Sequence, residues 1–167
     1  MSIRKGLEKW NGKSVDDISR LYGLNRTDEA FVNVVISLFK QPDCESGATW
    51  LLKRYLEDHK RIDDSHLDEV FKSLAGLNHW QSKLHLLQCL SYFKISKSNK
   101  RRLELFLREC LTSSNKFVRA WAYNGFYELT IQHPQYMDET KSFFEMAMRD
   151  EAPSVKARIR NIMKQGF

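Results

Sequence analysis

The sequence predicts an all-α chain, an α-α superhelix (solenoid) of about four helix pairs behind an N-terminal helical cap. Three observations predict it. Apolar residues recur at i, i+3, i+4 and i+7, the spacing of one helical stripe, in segment after segment. The stripes return with a period of 36 to 38 residues, the mark of stacked structural repeats. And 167 residues carry only 7 glycines and 3 prolines, too few turn-formers for a sandwich or barrel with a hairpin every ten residues. The competing architecture is a closed helical bundle, which the regular alternation of two helix types disfavours. With 42% hydrophobic and 29% charged residues, residues 1–167 read as one domain with a packed core and a hydrated surface.

Residues 1–27 form the expected cap: Ser14 with Asp17 reads as a helix start and Gly23 as its stop. Four helix pairs follow, at 29–60, 65–96, 98–133 and 136–166. The first helices of the pairs carry the stripes Phe31/Val34/Val35/Leu38, Leu67/Val70/Phe71/Leu74, Leu103/Phe106/Leu107/Cys110 and Thr140/Phe143/Phe144/Ala147. The second helices carry Cys44/Ala48/Leu51/Tyr55, Trp80/Leu84/Leu87/Ser91, Val118/Ala122/Gly125/Leu129 and Val155/Ile159/Ile162/Gly166. Asp43, Asn78 and Asn115 stand where the second helices should be N-capped, with Asn78 and Gln81 in a capping-box pattern. Pro153 suits the first turn of the last helix, and Pro42 and Pro134 sit at junctions. Helix 116–133 is apolar almost all round, so it should be central, and Gly125 within it implies the close approach of an adjoining helix. A helix pair that cannot bury its own face is the unit of an α-solenoid.

The openings of the last two second helices carry a family likeness. Asn115-Lys116-Phe117-Val118-Arg119-Ala120-Trp121-Ala122 and Asp150-Glu151-Ala152-Pro153-Ser154-Val155-Lys156-Ala157-Arg158 resemble HEAT repeats, an ARM-like fold in which a polar residue or proline is followed by Val-Arg and then Ala three residues on. In the fourth repeat Lys156 replaces Arg and Ile159 replaces Ala. The second repeat, Asn78-His79-Trp80-Gln81, keeps the phase without the Val-Arg pair, and the first matches only in hydrophobic period. The resemblance covers about the last 50 residues well. It implies a curved stack whose second helices line a concave, partner-binding face. The related HEAT-like DNA alkylation-repair glycosylases bind DNA on such a face with tryptophans and a catalytic aspartate. Trp50, Trp80 and Trp121 have no acidic residue that aligns with that catalytic position, so no catalytic residue is carried over.

Catalytic motifs are missing: there is no glycine-rich phosphate loop, no H-E-x-x-H and no G-x-S-x-G. His85 and Cys89 stand at i, i+4, but a structural zinc site needs four ligands, and a packed helix with a polar flank explains the pair better. Cys44, Cys89 and Cys110 are odd in number and lack C-x-x-C spacing, as reduced thiols of a cytoplasmic protein would be. Cys44 lies near a helix start but on an apolar stripe, which predicts a buried, inert thiol. No signal-peptide pattern or apolar run of membrane-spanning length is present, so no membrane partner is expected. No cofactor or metal is expected either.

Charge is the more informative property. Residues 94–119 hold eight Lys and Arg against two Glu, an excess of +6 that equals the net charge of the whole chain. Lys97, Lys100, Arg101 and Arg102 form the expected basic patch at the start of a helix, where cations oppose the helix dipole. A local cost of that kind points to an acidic partner, a phosphate or nucleic acid. A second candidate surface lies beside the core stripe of the second helices, with Gln81, His85, Gln88 and Tyr92 in one repeat. Their equivalents are Arg119 and Tyr123, then Lys156 and Arg160. Phe126 and Met163 occupy the same rows and are expected to pack between repeats. Asn124 and Glu128 follow Trp121 at i+3 and i+7; a small polar site is one reading of them, and capping of a buried network is the expected one. Together these residues predict a non-enzymatic binding or scaffold module for a protein or acidic partner. The alternative is a nucleic-acid binder using the basic segment, and an alkylpurine-glycosylase type of enzyme is the third reading.

Overall fold

The computed structural model describes residues 1–167 as ten α-helices joined by turns, with no strand. The chain divides into two compact units, Met1–Leu86 and Leu87–Phe167. The division falls inside helix α6 (Trp80–Cys89).

The first unit contains α1 (Ile3–Lys9), α2 (Val15–Asn25), α3 (Phe31–Ser37), α4 (Glu45–Glu57) and α5 (Asp64–Ser73). Ser14 caps α2 as expected, its Oγ accepting from the Asp17 amide at 3.2 Å. Gly23 does not stop the helix, which runs on to Asn25; with no Cβ neighbour nearby, that glycine is simply tolerated on an open face. The stripe residues Phe31, Val35 and Leu38 and all four of Leu67, Val70, Phe71 and Leu74 are buried. Each such side chain contributes about 1.5–3 kcal/mol of burial free energy. Phe31 is held between Tyr22, edge-on at 5.8 Å, and Tyr55, stacked at 5.3 Å. Helix α3 packs on both α4 and α5. Helix α4 ends in a Schellman turn. His59 adopts φ 61°, its amide bonds the Leu56 carbonyl, and the Lys60 amide bonds that of Tyr55.

Two expected caps are replaced. Cys44, not Asp43, occupies the N-cap of α4 and makes no side-chain cap bond. At α6 the Asn78/Gln81 box does not form. Instead Glu45, in the first turn of α4 and only 1% exposed, accepts the backbone amides of Asn78 and His79 through Oε1, both at 2.9 Å. A carboxylate from a neighbouring helix therefore fills the role that a local side chain plays in an ordinary cap. Helix α6 also shifts the expected stripe. Leu87 is buried, but Trp80 is 44% exposed and Ser91 is exposed, while Ser82, Leu86, Cys89 and Leu90 are buried. The last turn tightens into a 3-10 segment, Leu90–Tyr92, which advances the phase relative to a continuous α-helix.

The second unit holds α7 (Lys100–Leu111), α8 (Lys116–Gln132), α9 (Met137–Asp150) and α10 (Pro153–Met163). Helix α8 is central here and packs against α7, α9 and α10. Asn115 caps it, Oδ1 accepting from the amides of Phe117 and Val118, and Pro153 opens α10. Gly125 marks the close approach of the neighbouring helix: a Cβ there would lie 2.4 Å from Leu107 Cδ2 and 3.1 Å from Leu90 Cδ1, so those side chains would have to move. Ala120, Phe144, Ala147, Val155, Ile159 and Ile162 make a core between α8, α9 and α10. Thr130 and Thr140 share a buried hydroxyl bond of 2.8 Å. At the far end of α8 the Gln132 amide accepts from the Ile95 amide at 2.8 Å and donates to the Phe93 carbonyl at 2.9 Å. His133 Nε2 donates to the Ile95 carbonyl at 2.7 Å. The extended segment before α7 is thereby stitched to a residue 37 positions downstream in the chain.

Candidate partner-binding surface

The sequence-predicted rows divide according to what covers them. On α8, Arg119 and Tyr123 lie on the flank turned toward α9 and α10. Arg119 Nε meets both Glu151 carboxylate oxygens at 2.9 and 3.2 Å, and its Nη1 donates to the Ser113 and Ser114 carbonyls at 3.0 and 3.3 Å. One guanidinium thus ties the loop before α8 to the turn before α10. Tyr123 packs edge-on against Phe144 at 6.2 Å, and burial, with Glu151 nearby, raises its hydroxyl pKa. The equivalent flank of α10 is less covered, leaving Lys156 half-buried and Arg160 exposed. Gln88 is half-buried and Tyr92 is 49% exposed. Phe126 is fully buried as expected, whereas Met163 is 48% exposed and lines an open groove with Phe144, Met148 and Phe167.

In the first unit, Gln81 is half-buried, and His85 Nδ1 lies 2.9 Å from Thr49 Oγ1. The Thr49 hydroxyl also lies 3.0 Å from the Ser46 carbonyl, so imidazole, hydroxyl and carbonyl form one short polar chain. Burial, then the neighbouring Lys53, lowers the His85 pKa from 6.5 to about 4, against an opposing backbone bond at Ser46. This ring is a neutral packing element at ordinary pH. The three cysteines form no disulfide and are buried, and burial pushes the Cys44 thiol up from its ordinary value. No group of three or more His, Cys, Asp or Glu side chains converges.

The basic segment is partly engaged at home. Arg101 pairs with Glu104, whose carboxylate also accepts from Arg108 at 3.4 Å. Arg108 reaches Glu139 at 2.5 Å and lies over the Phe126 and Phe143 rings. Arg102 donates to Asn99 Oδ1 at 3.1 Å and to the Ser98 carbonyl at 3.4 Å. These bonds supply the local benefit that the sequence alone does not reveal, and Lys97 and Lys100 remain as unpaired cations of the patch.

A surface outside the predicted rows stands out on α8. Phe117, Trp121, Asn124, Glu128 and Ile131 follow at i, i+4, i+7, i+11 and i+14, one face of the helix. Phe117 is 49% and Ile131 53% exposed, and the three residues between them are half-buried. Arg158 of α10 lays its guanidinium over the Trp121 ring, 4.1 Å from the centroid. Lys116 sits over Phe117 at 5.5 Å. Asn124 and Glu128 make no hydrogen bond or ion pair, so the buried network expected of them is not there, and burial alone raises the Glu128 pKa. The sequence signal for this face was the Trp121/Asn124/Glu128 spacing; its exposure follows from which sides of α8 the neighbouring helices occupy.

Two grooves border these units. One, about 550 Å³, lies along α9 and the end of the chain, lined by Phe144, Met148, Met163 and Phe167 with Lys141, Glu145 and Arg149. The other, about 340 Å³, lies between α1 and α2 around Trp10, Leu21 and Leu24. No helix is long and apolar enough to cross a membrane.

No known protein family, curated protein or solved structure matches this chain.

Proposed function

We propose that this chain is a HEAT-like α-solenoid that works as a non-enzymatic binding module, recognising a protein partner on the second-helix side of its C-terminal unit. The observation that carries this reading is the α8 face, where exposed Phe117 and Ile131 flank Trp121 under the Arg158 guanidinium. Tryptophan and arginine dominate the binding energy of protein interfaces, and apolar neighbours exclude water around them. Nucleic acid is the weaker reading because Arg101, Arg102, Arg108 and Arg119 of the basic segment already have intramolecular partners.

The test is affinity capture with the intact chain and with Trp121→Ala, Arg119 left untouched because it holds two loops together. A partner retained by the wild type and lost by Trp121→Ala, at unchanged helical circular dichroism, supports the reading. Equal retention by both proteins removes the α8 face from it. Steeply salt-dependent binding of duplex or single-stranded nucleic acid, unaffected by Trp121→Ala, would favour the alternative, since each neutralised phosphate releases counterions.

A further inference from the structure

Arg158 combines partial burial with the absence of any ion pair, whereas Arg149 and Arg160, which also lack one, are exposed. Arg101, Arg108 and Arg119 each meet a carboxylate; Arg158 meets none and makes no hydrogen bond, although it is half-buried, its guanidinium carbon 4.1 Å from the centre of the Trp121 ring. Its charge rests on the indole ring while its N–H groups have no acceptor in the protein. Those groups match a carboxylate in a planar, two-bonded geometry. The ring contact also fixes the group in place before any ligand arrives, which lowers the entropy lost on binding.

Glu128 is the complementary case on the same face. It lies seven residues beyond Trp121, about 10 Å along the helix at 1.5 Å per residue. It is half-buried, unpaired, and lined up with Trp121 and Ile131. A half-buried carboxylate without a counter-charge is stabilised by a cation brought to it. The face therefore offers a fixed cation at one end, a carboxylate at the other, and apolar surface from Phe117, Trp121 and Ile131 beside them.

We infer that the α8 face takes a bipolar segment of a protein partner, setting an acidic side chain on Arg158 and a basic one on Glu128. This rests on the protein-binding reading above and adds the charge pattern of the ligand. In an extended segment side chains alternate between faces at roughly 3.3 Å per residue, so two charges that meet one face stand an even number of positions apart, and about four positions are needed to span this distance. Phosphate groups would meet Arg158 but be repelled by Glu128, which is why a nucleic acid does not fit this face.

The experiment uses the full chain with nitrogen-15 labelling and follows the Trp121 indole and Arg158 Nε signals by NMR. The probe is an eight-residue Gly/Ser peptide carrying Glu and Lys four positions apart, on one face of an extended chain. Control peptides carry Gln for Glu, or Gln for Lys. The expected result is a saturable shift of both signals with the bipolar peptide, and about tenfold weaker binding for each control, as for the loss of one charge-assisted bond. Arg158→Gln should abolish the preference for Glu over Gln and keep the preference for Lys. Glu128→Gln should do the reverse. No shift at 20 mM peptide, a magnitude of about 2 kcal/mol of binding free energy at most, overturns the inference, as do equal shifts from all three peptides. If Trp121→Ala loses a captured partner while the bipolar peptide shifts nothing, the binding module stands and only the charge pattern fails.

Discussion

Glu45 gives the sharpest quantitative expectation. Its carboxylate is 1% exposed and receives two amides at 2.9 Å each. A hydrogen bond to a charged group is worth about 1.5–3 kcal/mol. Residues Asn78 and His79 are themselves exposed, so after Glu45→Ala water can reach their amides and replace part of each bond. That brings the expected loss for Glu45→Ala to about 2–3 kcal/mol. Glu45→Gln keeps an acceptor oxygen and loses the charge at the start of α6, which should cost about 1 kcal/mol. For a chain of this size, the alanine variant should melt about 4–12 °C lower. Urea unfolding followed by circular dichroism measures the two losses. Hydrogen exchange at the Asn78 and His79 amides measures the local effect, and both should exchange faster in the alanine variant. Equal losses for Ala and Gln, or an alanine loss below about 0.5 kcal/mol, refute the cap, because such a value is typical of an ordinary surface substitution.

Two glycines should respond with opposite signs. Gly125→Ala gains about 1 kcal/mol in helix propensity but drives a methyl into the buried Leu107 side chain, for a net loss of about 1 kcal/mol. Gly23→Ala meets nothing within 4 Å and should stabilise by up to about 1 kcal/mol; unfolding midpoints of the two variants decide the matter, and like signs would be the adverse result. His59→Gly should stabilise by about 0.5–1 kcal/mol, since φ 61° suits glycine; a lower urea midpoint than the wild type's would contradict it. Because the folded His85 pKa is depressed from 6.5 to about 4, the unfolded chain binds more protons between those values. Its contribution is then fully present above pH 6.5 and is lost as the pH falls toward 4. His85→Gln should flatten the fall in stability between pH 7 and 5, and parallel profiles for the two proteins would contradict the assignment.

The helices were legible because their apolar spacing is a local property. Leu67, Val70, Phe71 and Leu74, or Val118, Ala122, Gly125 and Leu129, need only the helical period to be placed on a buried face, and they are buried. What the sequence could not show is whatever depends on a partner far along the chain. Glu45 caps a helix 33 residues away, and no local motif marks a first-turn glutamate as someone else's cap. The same holds for the stripe of α6, where Trp80 and Ser91 stay outside while Ser82, Leu86, Cys89 and Leu90 turn inward. At the candidate site, the rows of Arg119 and Tyr123 were spaced correctly for one face of α8. Which face stays open is decided by where α9 and α10 pack, and that packing takes up Arg119 through Glu151. Trp121, Asn124 and Glu128 were visible as a spacing, but their exposure was not, because a helix with apolar residues on every side does not announce which side its neighbours leave uncovered.

The three thiols have a practical consequence. Cys44 belongs to the first unit, and Cys89 and Cys110 to the second, each sealed at 2% exposure or less. A thiol reagent can reach them only when the surrounding helices open, so the rate of modification at each position times that opening. Mass spectrometry of partly labelled chains then follows the two units separately within one sample, without any introduced probe. Cys44 would report on the helices that Glu45 and Tyr22 hold together, and Cys110 on the helix that Gly125 admits. The protein carries its own clocks, one set for each half.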